Sequence, residues 1–97
     1  MVYQVKITAF ANDAAKKLSP EIKKAAKAAL RDLAENPYLG KELQSELSGY
    51  WSCRFLRYRI VYKADTQKKI LIVYAIGRRR DIYETLSEHL SSFPPEE

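Results

Sequence analysis

Two hydrophobic periods divide the chain. Tyr3, Val5 and Ile7 alternate with Gln4, Lys6 and Thr8, which predicts a half-buried first strand. A short helical segment is predicted next, over residues 12–18. Ser19-Pro20-Glu21 then reads as a helix start, with Ser as N-cap, Pro at the first helical position and an acid in the first turn. From there Ile22, Ala26, Ala29, Leu30 and Leu33 recur at helical spacing, while Lys23, Lys24, Lys27 and Arg31 take the opposite, solvent-facing side. Ala25, Ala26, Ala28 and Ala29 keep this helix slim, and Asn36-Pro37 ends it.

The period of two returns after Leu39, Leu43, Leu47 and Gly49. Trp51, Cys53 and Phe55 alternate with Ser52 and Arg54 in a second strand, with Trp51 and Cys53 expected in the core. A third strand is predicted over residues 58–63, a polar turn over 65–69 and a fourth strand over 70–76. The fourth is apolar on both faces, which implies a central place in the sheet, and Gly77 is expected to break it. Residues 81–90 read as a final helix, with Ile82, Leu86 and Leu90 or His89 inward, and SSFPPEE at 91–97 as a loose tail.

The fold class is therefore α+β. An N-terminal strand and a helical hairpin pack on a twisted, antiparallel-rich sheet of about four strands, followed by a C-terminal helix, all in one domain over residues 1–90. With helices on one face, the other face is expected to stay open and to hold the basic residues.

Charge is distributed unevenly. Residues 50–80 hold nine Lys/Arg and a single acid, Asp65, whereas residues 81–97 hold five acids and no Lys/Arg. The net charge of +5 is thus concentrated among strand-forming residues, a footprint that attracts polyanions, phosphate foremost. Lys and Arg on strands also protect edges from aggregation, the bland alternative. One cysteine permits no intrachain disulfide and fits a reducing cytoplasm, the expected location. No stretch reads as a signal peptide or a bilayer span.

Several chemistries lack their residues. One His and one Cys cannot build a zinc site, there is no Gly-rich phosphate loop, and His89 has no identifiable catalytic partner. Acids are sparse in the basic block, so no metal or cofactor is expected. What remains is arginine (Arg54, Arg57, Arg59, Arg78, Arg79, Arg80) interleaved with tyrosine (Tyr50, Tyr58, Tyr62, Tyr74, Tyr83). Arginine forks match phosphate oxygens and aromatic rings stack on unpaired bases, a combination suited to single-stranded RNA. It also suits metal-free attack of a ribose 2′-OH on the adjacent phosphate, in which the RNA supplies the nucleophile and the protein supplies orientation, charge and proton transfer. Arg-rich strands equally suit acidic peptides, DNA backbones or rRNA.

Three motifs narrow the choice: Leu47-Ser48-Gly49, the strand pair Arg54 … Tyr58-Arg59-Ile60-Val61-Tyr62, and Ile76-Gly77-Arg78-Arg79-Arg80-Asp81-Ile82-Tyr83. In order and spacing they resemble the RelE/ParE superfamily of toxins from bacterial type II toxin–antitoxin pairs, over about half the chain. The resemblance implies a ribosome-dependent, metal-free mRNA endoribonuclease acting in the ribosomal A site, with rRNA contacts and a cognate antitoxin as partner, and with neither membrane nor small-molecule cofactor. It implies catalytic roles for Arg54, Arg59, Arg79 and Tyr83, with Arg57, Lys63, Arg78 and Arg80 binding RNA. Arg59 would clamp the phosphate, Arg79 would stabilise the transition state, and Tyr83 would stack on the base or transfer a proton.

Ser52 stands where well-equipped nuclease relatives carry a lysine, and Arg78 where His or Lys is common. Arginine is a poor base, so proton transfer would fall to Tyr83, to Glu84 or to the ribosome. Two other readings stay open: a ParE-like DNA gyrase poison without nuclease activity, and a non-catalytic RNA- or ribosome-binding module. Tyr83 could also simply pack its ring with its hydroxyl hydrogen-bonded.

Overall fold

The computed structural model describes residues 2–44, 47–78 and 82–83. In chain order they form β1 (Gln4–Ile7), α1 (Ala9–Lys16), α2 (Pro20–Glu35), β2 (Lys41–Glu42), β3 (Trp51–Phe55), β4 (Tyr58–Asp65) and β5 (Ile70–Arg78). One sheet runs β1-β5-β4-β3-β2, parallel between β1 and β5 and antiparallel elsewhere. β5 is an interior strand, as its two-sided apolar pattern implied.

The helices begin where hydroxyl caps are available. Thr8 accepts from the Ala11 amide at 3.2 Å, so α1 starts three residues earlier than predicted and ends at Lys16. Ser19 caps α2 as expected, accepting from the Ile22 amide at 3.4 Å, with Pro20 in the first turn. The Lys23, Lys24, Lys27 and Arg31 side of α2 faces solvent, while Ala26, Leu30 and Leu33 are buried against the sheet.

The main core lies between the helices and the sheet, with Leu33, Ile60, Tyr62, Leu71 and Val73 fully buried. Trp51 and Cys53 are only partly buried at its margin, because β3 lies next to the short edge strand β2, and Trp51 makes an edge contact with the exposed Tyr38 at 5.2 Å.

β5 holds its register through an irregularity. Tyr62 pairs with Val73 but Val61 pairs with Ala75, leaving Tyr74 as the extra residue of a bulge. A one-residue insertion reverses side-chain parity. Leu71, Val73 and Ile76 therefore all reach the helix-side core, and Ala75 and Gly77 face the other way.

Three further expectations change. The sheet has five strands, not about four, since Lys41–Glu42 pairs with Ser52 and Trp51; a two-residue edge strand carries no hydrophobic period to read. β4 runs on to Asp65. Gly77 does not end β5, which continues to Arg78, because Gly77 and Arg78 still pair with Arg59 and Tyr58 of β4; Ile82 lies 3.7–3.9 Å from where a Gly77 Cβ would stand.

The non-helical face is not simply open either. Leu47, Val61, Ala75 and Ile82 form a second small core there, with Phe10, Leu43, Tyr50, Tyr74 and Tyr83 packed against it. Ile82 and Tyr83 are helical, and Ile82 is inward as expected. The rest of the predicted final helix, including Leu86, His89 and Leu90, and the 91–97 tail lie outside the described residues.

One hydrogen-bond centre ties the loop after α2 to the sheet. The buried Tyr62 hydroxyl donates to the Pro37 carbonyl at 2.6 Å and accepts from the Gly40 amide at 3.3 Å. Gly40 approaches so closely that a Cβ would collide with the Ser52 carbonyl oxygen and the Tyr62 hydroxyl. Burial pushes the Tyr62 phenol up to about 12, partly offset by the Gly40 amide.

Replacing this hydroxyl leaves a buried carbonyl and amide without their partner, so Tyr62→Phe should cost on the order of 1–3 kcal/mol at neutral pH. The raised phenol gives a second signature. Its proton is held in the folded state and released in the unfolded chain, so stability should fall as pH rises from 10 through about 12. Urea unfolding of both proteins between pH 7 and 11 should show that alkaline fall in the parent and a flatter profile in Tyr62→Phe.

Candidate functional site

The β3–β4 hairpin decides which side chains meet on the face opposite the helices. Cys53, Phe55 and Tyr58 belong to the helix-side core, and Phe55 and Tyr58 stack at 5.7 Å. Their neighbours must point the other way. Arg54 and Arg59 are direct cross-strand partners, and Arg59 is in turn opposite Gly77 on β5. Two guanidinium-bearing residues thus share one ladder position, with a strand on the far side that contributes no side chain.

The two arginines are not equivalent. Arg54 is exposed, and its Nε donates to the Leu56 carbonyl at 3.4 Å. That carbonyl belongs to the two-residue hairpin turn, in which Leu56 adopts a φ of 53°, a conformation that costs a non-glycine residue energy. Arg59 is half-buried, and its Nε is buried with no hydrogen-bond partner among the described residues. A buried donor of that kind is expensive unless something fills the gap. A pocket of about 140 Å³ lined by Arg54, Arg57, Tyr58 and Arg59 opens beside them.

Two residues along β3 from Arg54, on the same face, Ser52 is 3% exposed. Its Oγ lies 2.9 Å from the Tyr83 hydroxyl. The strand rise puts this hydroxyl pair about 7 Å from the arginine pair along β3. On the other side, Lys63 sits over the Tyr50 ring at 4.3 Å, and Tyr50 meets Tyr74 edge-on at 5.1 Å.

Of the residues singled out from sequence, Arg54, Arg57 and Arg59 are brought together at one pocket. Tyr83 is on the same face but does not line that pocket; it is tied to Ser52. Lys63 is on that face but farther along, engaged with Tyr50. Arg78 is exposed at the end of β5, cross-strand from Tyr58. Arg79, Arg80 and Glu84 lie outside the described residues. Ser52 is the residue that sequence reasoning noticed only as a missing lysine; a buried polar position between strand neighbours was the available signal.

Cys53 is not part of this face. Burial pushes its thiol above the ordinary value, the Asp32 carboxylate adds to the shift and Arg59 partly offsets it. Among the described residues no group of three or more His, Cys, Asp and Glu comes together to hold a metal ion, and no helix is long and apolar enough to cross a membrane.

Comparison with known proteins gives the family. Residues 5–83 match the family model described as the ParE toxin of the type II toxin–antitoxin system parDE. The chain belongs to the RelE/ParE superfamily of type II toxins. It is 35% identical over 85 residues to toxin RelG of Mycobacterium tuberculosis, covering 86% of this chain and 98% of that protein. It superposes on the crystal structure of the RelBE2 toxin–antitoxin complex from the same organism with a TM-score of 0.76 at 32% identity, over 81% of this chain and 100% of that one. The fold is also that of a free mutant of E. coli toxin RelE, with a TM-score of 0.77 at 22% identity over 97% of this chain and 100% of that one.

The thiol chemistry gives a test of the electrostatics around β3. Cys53 should alkylate more slowly than free cysteine at pH 8. Asp32→Asn should speed the reaction by removing a charge that opposes the thiolate, whereas Arg59→Met should slow it further. Iodoacetamide kinetics followed by mass spectrometry read all three.

Proposed function

We propose that this chain is the toxin of a type II toxin–antitoxin pair and that it cleaves mRNA in the ribosomal A site without a metal. The cross-strand pairing of Arg54 with Arg59, on the face where Tyr83 meets Ser52, carries this reading. Two permanent cations at one ladder position fit a phosphodiester whose negative charge grows in the transition state. The ribose 2′-oxygen attacks phosphorus, the P–O5′ bond breaks, and the products are a 2′,3′-cyclic phosphate and a 5′-hydroxyl. The 2′-OH proton passes to solvent, and the leaving oxygen takes a proton.

In this scheme Arg54 and Arg59 hold the non-bridging oxygens and Arg79 adds transition-state charge. Tyr83 transfers a proton or stacks on the base. Arg57, Lys63, Arg78 and Arg80 bind flanking phosphates and rRNA. The relatives solved as toxin–antitoxin complexes support a cognate antitoxin here as well. An acidic or amphipathic antitoxin segment laid over the arginines would occlude RNA, so complex formation should weaken with salt.

Ser52 favours a second reading, a gyrase poison without chemistry, since this position adds no cation and its hydroxyl is committed to Tyr83. Primer extension on mRNA after induction separates the two. Discrete cuts within codons support the nuclease; replication arrest with intact mRNA supports the poison.

Arg59→Ala should abolish growth inhibition and reduce cleavage by about 10²-fold or more, with the fold retained. Arg59→Lys should also be impaired, because lysine lacks the bidentate fork. Undiminished toxicity of Arg59→Ala at equal expression would remove Arg59 from the site.

A further inference from the structure

The solvent face of α2 carries cations that do not serve the helix itself. Lys23, Lys27 and Arg31 follow one another at i, i+4 and i+8, with Lys24 beside them, and all four are exposed. Like charges three and four residues apart destabilise a helix. The helix dipole favours bases in the last turn, yet the last turn of α2 has none. Ion pairing does not compensate. Among the described residues none of the four cations has an acidic partner within ion-pair distance, although Glu21, Asp32 and Glu35 lie on the same helix. A helix arranged for its own stability would intersperse these charges.

Position decides what the row can meet. Ala26, Leu30 and Leu33 hold the other side of α2 in the core, so the cations point away from the sheet. Arg54 and Arg59 belong to the opposite face of that sheet. At least a helix diameter, about 10–12 Å, separates the two cationic faces. That exceeds the Debye length of about 8 Å at physiological salt, so they act as separate electrostatic surfaces. Successive cations of the row rise by about 6 Å, comparable to the spacing of phosphates along a nucleic-acid strand. α2 has no aromatic residue on which an unpaired base could stack. Nor is its apolar side free to enter a membrane surface, since the core already covers it. A regular array of phosphates matches what is left.

We propose that the exposed face of α2 docks on the sugar–phosphate backbone of double-stranded RNA, with Lys23, Lys24, Lys27 and Arg31 as its phosphate contacts and without help from the arginine pair. The choice of RNA rests on the proposed function, in which structured ribosomal RNA supplies the duplex. The chain is then held by RNA on both sides of its sheet, the message at the arginines and a ribosomal duplex at α2.

The experiment neutralises the row. One variant combines Lys23→Gln, Lys27→Gln and Arg31→Gln. A control combines Lys6→Gln, Lys41→Gln and Lys68→Gln, removing the same charge from exposed positions elsewhere. Glutamine keeps the helix propensity of lysine and arginine. Binding of a short RNA duplex, and of a short, uncleavable single-stranded oligoribonucleotide, is measured from about 50 to 200 mM salt. At low salt the row variant should lose about tenfold or more in duplex affinity, and the slope of log K against log salt should shrink by about 2–3 as three phosphate contacts disappear. Its single-strand affinity should change by less than about twofold, because the arginine face is a separate surface. The control should keep most of the parent's duplex affinity and slope.

Equal losses in the row variant and the control reduce the effect to net charge and overturn the proposal. So does a parent that binds no duplex, or one that binds polyglutamate of matched charge as tightly, which assigns the face to an acidic protein. Thermal melting at low salt addresses a structural role. The row variant should melt no lower than the parent, and a clear fall would show that the cations serve the fold. Failure of the nuclease reading is visible separately: a parent that binds the duplex through α2 and leaves mRNA intact refutes cleavage while this surface stands.

Discussion

Two arginines face each other across an antiparallel ladder, and much of the molecule can be understood as holding them there. Like charges directly opposite one another are unfavourable. The Arg54–Arg59 pair persists because the strands that carry it are fixed on their other side by Phe55, Ile60 and Tyr62 in the helix-covered core. The bulge at Tyr74 completes the arrangement by turning Gly77 toward Arg59. Without it, the parity of β5 would put Ile76 on that face, in the space where Ile82 now packs over Gly77. Among the described residues Arg59 Nε is buried without a hydrogen-bond partner, which sets it apart from the exposed Arg54.

The second constraint is the return of the chain after β5. Ile82 fits over Gly77, and Tyr83 is then carried to Ser52. A small residue on β5, a small hydroxyl on β3 and an apolar–tyrosine pair after β5 thus act together. They deliver a phenol to within one strand pleat of the arginines. The apolar cluster of Leu47, Val61, Ala75 and Ile82 supplies the packing that makes this return specific.

Much of this was legible in the sequence because periodicity and capping are local. Ser19-Pro20 marked the start of α2, alternation marked β1 and β3, and the motif around Tyr58-Arg59-Ile60 located the arginine pair. What was not legible depends on pairing across distance. β2 has two residues and no period of its own. Gly77 looked like a strand breaker because its packing partner, Ile82, is five residues on and its pairing partner, Arg59, is on another strand. Trp51 looked like core because alternation tells which face a residue is on and not how close it stands to an edge. Ser52 looked like a deficiency because the hydroxyl that satisfies it comes from 31 residues away.

Under the proposed function, Arg54 and Arg59 repel each other in the free protein and a bound phosphate relieves that repulsion. A double-mutant cycle of Arg54→Met and Arg59→Met tests this most directly, with unfolding free energies measured at low salt with and without a short, uncleavable oligoribonucleotide. The predicted result is a repulsive coupling in the free protein that turns favourable when the oligonucleotide is bound. Additive effects of the two substitutions in both conditions would contradict it.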